Sequence, residues 1–205
     1  KRIKVALNLL KKIMIQIHSH NFKNYPIIGK NCNIAPSVSF INPKNIFIGD
    51  NVVLEDSVLL DAEHGKGIFI GNNTIIRRFT TILSSGSEYP KGFVKIGNSS
   101  HIGTFNYLAG HNGLQIGNNC LLAPYVFING FSHNFNNKSL LVKSQGSKAK
   151  QIFIGNDVYI AIRSSVISGC LEDGCVVYAH SLVNKKFKPF SIIKGQPAKF
   201  IKFRS

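Results

Sequence analysis

The side chains able to do acid–base or ligand chemistry are few. There are seven histidines and four cysteines in 205 residues. His133 stands in Phe131-Ser132-His133-Asn134, at the head of a polar stretch. An imidazole titrates near neutral pH. It can take a proton from an attacking hydroxyl or amine and return it to a leaving group. His111 lies in Ala109-Gly110-His111-Asn112-Gly113, where it and Asn112 could contact a polar acceptor molecule. Residue type alone leaves both histidines open to a plain reading as solvated loop residues. A metal centre is not expected, because the chain has no C-x-x-C motif and no His/Cys cluster. A three-imidazole zinc site would need two ligands close in sequence, and His111 and His133 have no such companion.

The elements that must hold these residues are written in a six-residue grid. Ile28, Ile34 and Phe40 open it, and the triplets at 48/54/60, 70/76/82, 96/102/108, 116/122/128, 154/160/166 and 171/177/183 continue it. Inside each triplet the step is six, and between triplets it is 8, 10, 14, 8, 26 and 5. Six residues suit a short strand and a turn. Three such units make one triangular coil, and stacked coils share an apolar core. All off-grid steps then fall at one corner, and the longest loop, 129–153, is the place for functional machinery. Gly follows the grid residue at Gly29, Gly49, Gly71, Gly97, Gly103, Gly117 and Gly155, which allows a positive φ or close approach of the next coil. Asn51, Asn72, Asn98, Asn118 and Asn156 follow soon after, and Asn also tolerates the left-handed region. Cys32, Cys120, Cys170 and Cys175 each sit four residues after a grid position, alongside Val52, Thr74, Ser100 and Val158 in other coils. They read as small buried residues stacked up a corner, and unpaired thiols suit a reducing cytoplasm.

Twenty-five Lys and Arg against nine Asp and Glu give a net charge of +16. A surface of this kind attracts anions: phosphorylated cofactors or an anionic membrane surface. Nucleic acid is not an expected partner, since no recognition-helix pattern or aromatic platform accompanies the charge. Ile3, Leu7, Leu10, Met14 and Ile17 recur at helical spacing, so 1–25 reads as an amphipathic helix that caps the first coil or rests on a membrane. The β-helix is expected over 26–184 and a basic tail over 185–205, with a short helix from Ala198 to Arg204. No apolar run is long enough to span a bilayer.

Three segments carry a family resemblance: Ile154-Gly155-Asn156-Asp157-Val158-Tyr159-Ile160, Ser181-Leu182-Val183-Asn184-Lys185, and 189–199 ending in Pro197-Ala198-Lys199. In this order and spacing the chain resembles the hexapeptide-repeat acyltransferases, which include bacterial saccharide O-acetyltransferases and the maltose/galactoside acetyltransferases. The resemblance implies an all-β, left-handed parallel β-helix of about seven coils and a homotrimer with acetyl-CoA in the groove between solenoids. It implies no metal. His133 takes the place of the family's loop base, and the acceptor would be a hydroxyl of a sugar or surface polysaccharide precursor; the alternatives are an amino sugar or other small acceptor, or a non-catalytic binding or scaffold trimer that keeps the fold. Ala161 and Ala179 match the positions lining the pantetheine arm, and Lys185 and Lys199 match the basic positions near the phosphates. Ile162 stands where the family usually carries Ala or Ser. A cytoplasmic enzyme, with peripheral contact at the inner membrane face as an option, completes the expectation.

Overall fold

The structure, a computed structural model, describes residues 25–205. The expected helix over 1–25 lies almost wholly outside the described residues. Three parallel sheets form the faces of a triangular prism. The first face begins with Ile27–Ile28 and runs to Cys170–Leu171, the second begins with Asn33–Ile34, and the third begins with Ser39–Ile41. Seven strands stack on the first and third faces, so there are seven coils, wound left-handed. No α-helix occurs among the described residues, only two 3-10 turns.

The grid residues are the core. Ile70, Ile96, Ile116, Ile154 and Leu171 stand in register on the first face despite the unequal sequence intervals between them. Nearly all grid residues are buried, with Ile28 and Phe40 of the first coil only partly so. A two- or three-residue strand turns every second side chain inward, so one apolar residue per strand suffices to fill the prism.

Corner chemistry divides by position. The glycines just after the first-face grid residue serve close approach. A Cβ on Gly71 would lie 2.6 Å from both Asn98 Oδ1 and the Gly97 carbonyl carbon. Positive φ falls two residues later, at Asn31, Asn51, Asn73, Ser99, Asn119 and Asp157. Between them runs a ladder. The N–H of Asp50 donates to Asn72 Oδ1 (2.8 Å), that of Asn72 to Asn98 Oδ1 (2.8 Å), that of Asn98 to Asn118 Oδ1 (2.7 Å), and that of Asn118 to Asn156 Oδ1 (2.8 Å). Each side chain thereby satisfies a backbone donor that the turn would leave unpaired. Inside the same corner, Thr74, Ser100 and Cys120 donate to the carbonyls of Gly97, Gly117 and Gly155 in the coil above. Cys32, Cys120 and Cys175 sit there as spacers with a weak hydrogen bond, whereas Cys170 departs from the expected stack: it lies in the first-face strand Cys170–Leu171 and is only partly buried, as is Cys32.

The C-terminal tail differs from expectation. Ser191–Lys194 adds to the second face and pairs antiparallel with Lys199–Phe203, so the expected helix from Ala198 to Arg204 is a strand. Phe187 and Ile193 are buried as the first two grid positions of an eighth, incomplete turn. An open edge of the second face needs a backbone partner, and that need outweighs the weak helical spacing of the tail.

Candidate active site

The off-grid residues do collect at one corner, between the third and first faces. Insertions at 62–67, 84–93, 110–113 and 130–151 stack there in successive coils. The longest folds into an arm whose stem is an antiparallel pair, Phe131–His133 with Ser147–Ala149, placing His133 opposite Ser147.

The arm is anchored by contacts that sequence spacing does not reveal. Ser147 Oγ donates to Glu88 and lies 2.7 Å from the hydroxyl of Tyr89. Asn112 Nδ2 donates to the Ala149 carbonyl at 3.2 Å. The rings of Tyr89 and Phe131 meet edge-on at 6.0 Å. Glu88, Tyr89 and Ser147 are therefore part of this cluster, although nothing in the sequence singled them out. The usable signal was the 14-residue step from Ile82 to Ile96, which puts an insertion directly beneath the one bearing His111.

Both histidines pack against Phe131. Its ring centroid lies 4.9 Å from His111 and 5.0 Å from His133. Their chemistry is opposite. His111 Nδ1 accepts the Gly86 N–H at 3.0 Å, so in the neutral ring Nε2 carries the proton. Burial holds the His111 pKa below the usual imidazole value, against the opposing pull of Glu88. His111 is thus a neutral Nε2–H donor with no lone pair free to act as base. His133 is exposed, and its imidazole hydrogen-bonds to nothing among the described residues. It is the imidazole here with a free nitrogen.

The other expected residues divide between corners. Ala161 and Ala179 stand one coil apart at the corner between the second and third faces, and residues 195–198 fold over that corner and lead into Lys199. Lys185 stands at the arm's corner, two coils further along, with Nζ 5.5 Å from the Phe187 ring. One face, on the order of 15–20 Å wide, separates the arm's corner from that of Ala161. A single chain does not bring His133 to Ala161, Ala179 and Lys199.

The corner of Ala161 suits an extended amide-bearing ligand. At the first corner the Asn ladder caps the turn N–H groups, but here the N–H groups of Ile162 and Ala179 donate to nothing among the described residues. In the coils below Ala161, Gly103 and Ala123 floor a groove of about 550 Å³ walled by Leu121 and Tyr159 and bordered by Arg77 and Arg78, a groove that Ala161, Ile162 and Ala179 do not themselves line. Ile162 is 39% exposed, so its side chain is not buried in the core. At this corner, Phe79, Phe105 and Tyr125 stack at 4.8 and 5.0 Å, each with a left-handed backbone.

No family model matches the chain. It is 28% identical over 161 residues to a probable acetyltransferase of Mycobacterium tuberculosis, covering 78% of this chain and 50% of that protein. It is 27% identical over 192 residues to a dTDP-4-amino-4,6-dideoxy-D-glucose acyltransferase of Escherichia coli, covering 93% of this chain and 87% of that one. The chain therefore spans half the length of the mycobacterial relative and most of the other. Among solved structures, an N-acyltransferase from Bacillus cereus in complex with dTDP and 3-hydroxybutyryl-CoA superimposes with a TM-score of 0.62 at 22% identity, covering 97% of this chain and 88% of that one.

Proposed function

Because this chain is a homologue of the hexapeptide-repeat acyltransferases, we propose that it transfers an acyl group, acetyl in the first instance, from acyl-CoA to a hydroxyl of a saccharide. The observation that carries this reading is the unbonded, exposed imidazole of His133 on an arm pinned by Glu88, Tyr89 and Asn112. His133 removes the proton of the acceptor hydroxyl as its oxygen attacks the thioester carbonyl. The C–S bond breaks, and the imidazolium returns the proton to the departing thiolate. The Nε2–H of His111 is fixed as a donor and is suited to hold an acceptor oxygen or the oxyanion. The free N–H groups of Ile162 and Ala179 would bind pantetheine carbonyls, and Lys199 the phosphates. Lys185 fits the same role only if the donor reaches the arm's corner.

The reading calls for a homotrimer. His133 and the Ala161 corner lie at opposite ends of one face, so a ring of three can set the arm of one protomer against the next protomer's groove. Two unlike apolar patches suit such a head-to-tail contact. One is the arm tip, with Leu140, Leu141 and Val142 exposed, and the other is the aromatic column. Use of acyl-CoA places the reaction in the cytoplasm.

A second reading, transfer to an amino sugar, is favoured by the similarity to an enzyme named for such an acceptor. Glu88 would also steady an incoming ammonium. The test is thiol release from acetyl-CoA with neutral sugars and with a nucleotide-linked amino sugar. His133→Ala is expected to lose about 10²–10⁴-fold in turnover, with acetyl-CoA affinity changed less than about threefold. Full activity in that variant removes the base assignment. Saturable acetyl-CoA binding without turnover on any acceptor favours a binding protein instead.

A further inference from the structure

The C-terminal end of the solenoid carries a surface of which the transfer reading uses only Lys185 and Lys199. From Lys185 to Ser205 the chain has six lysines, one arginine and no Asp or Glu. Lys186 pairs with Glu172 and Arg204 with Asp157, leaving five lysines without a carboxylate among the described residues. Set among them are Phe190, Phe200, Ile201 and Phe203, exposed by 52, 47, 53 and 53%.

The strand pairing explains why these side chains stay uncovered. Lys199–Phe203 pairs on one edge with Ser191–Lys194, and all five of its residues are exposed. The register sets Phe200 beside Ile193 and Phe203 beside Ser191. The two rings lie 4.8 Å apart and border an open hollow of about 360 Å³, with Phe187 as floor and Lys185, Lys186 and Lys188 at its rim. Paired rings at half exposure, with exposed Ile201 between them in the strand, mark a contact surface rather than ordinary solvent-facing protein.

The chemistry around the cluster selects the contact. Unpaired lysines flanking exposed apolar side chains, Lys185 and Lys188 beside the Phe200–Phe203 pair and Lys199 and Lys202 next to them in the strand, match the two layers of an anionic bilayer surface, charged headgroups over hydrocarbon. Successive stacked bases would need rings that share one plane, whereas Phe200 and Phe203 are tilted by 58° to each other with aliphatic Ile201 between them in sequence. We propose that the C-terminal strand pair seats this protein on an anionic lipid surface, with Phe200, Ile201 and Phe203 entering the interface and Lys188, Lys194 and Lys202 on the headgroups.

The chain has no Trp, so one tryptophan can report contact at a chosen point. The full chain carrying Phe203→Trp would be titrated with vesicles of phosphatidylcholine alone and with 30% phosphatidylglycerol. A parallel chain carries Phe69→Trp on the side of the solenoid. The expected result is a blue shift and quenching by brominated lipid at residue 203, only with the anionic vesicles, and none at residue 69. Lys188→Gln with Lys202→Gln is expected to weaken partition by roughly 25-fold, about fivefold per charge. Phe200→Ser with Ile201→Ser is expected to weaken it at least about tenfold. Absence of binding overturns the proposal. So does binding that survives the Ser substitutions, or a shift at residue 69. A blue shift at residue 203 produced by inorganic phosphate or ATP alone would make the patch a small-anion site and end the lipid assignment.

Discussion

Gly97→Ala tests the reason given for the corner glycines. Gly97 has no positive φ, so alanine meets no backbone strain there in the folded state and the folded-state cost comes from the contact. A Cβ at this position would lie 2.6 Å from Asn118 Oδ1 and 2.6 Å from both the carbon and the oxygen of the Gly117 carbonyl. Comfortable carbon contacts begin near 3.5 Å, so two coils must part locally by about 1 Å. Neither atom of that carbonyl can swing aside, since the Gly117 N–H donates to the Ile154 carbonyl at 2.8 Å in the next coil. Overpacking of this kind costs about 1–3 kcal/mol. Loss of chain freedom in the unfolded state returns about 0.4–1 kcal/mol. The net is a destabilisation of about 1–2 kcal/mol, which in a chain of this size lowers Tm by about 2–8 °C. Thermal unfolding followed by circular dichroism at fixed protein concentration measures it. An unchanged or higher Tm would refute the close-approach argument and leave unfolded-state entropy as the dominant effect.

Acid should weaken the fold through two histidines. His101 Nε2 accepts the Nε–H of Arg77 at 2.9 Å, and His111 Nδ1 accepts the Gly86 N–H. Burial lowers both pKa values, with Arg77 adding to the effect at His101. A depressed imidazole contributes stability present above its unfolded value, about 6.5, and lost as pH falls through the lowered native value. The slope cannot exceed about 1.4 kcal/mol per pH unit for each ring, and partial exposure keeps it below that ceiling. His101→Gln with His111→Gln is expected to flatten the acid limb of Tm against pH, and an unaltered limb would assign it elsewhere. Cys120 and Cys175 are buried and their thiol pKa values are raised by burial, so a thiol reagent is expected to reach them only on unfolding. Native-rate labelling of all four cysteines would contradict the packed corner. Cys120→Ser is expected to change stability by less than about 1 kcal/mol, because a hydroxyl can bond the Gly155 carbonyl as Ser100 bonds that of Gly117.

Why the coils were readable and the site only partly so has a physical basis. Ile70, Ile96 and Ile116 point to the same line in space because each strand contributes one inward residue and each turn a fixed count. Local periodicity therefore encodes a long-range arrangement. The tail broke that rule. Phe200, Ile201 and Phe203 are compatible with helix or strand, and only the unpaired edge at Ser191–Lys194, invisible in a local window, decides for strand. The position of His133 on the long insertion followed from the grid. The hydrogen bonds that pin its arm did not, since Glu88 and Ser147 are 59 residues apart in sequence and meet only because their insertions share a corner. The tautomer of His111 likewise depends on Gly86, 25 residues away.

The corner that gathers the insertions behaves as a graduated scale. Each insertion leaves from and returns to a register-locked strand end, and neighbouring coils are about 4.8 Å apart. A functional group moved from one insertion to the next therefore travels along the axis by one fixed increment, while the prism beneath it stays the same. Length changes within an insertion alter reach away from the axis without altering height. The two coordinates of a reactive group can thus be set independently, and an acceptor of different size can be met by editing one insertion, with no compensating change in the core.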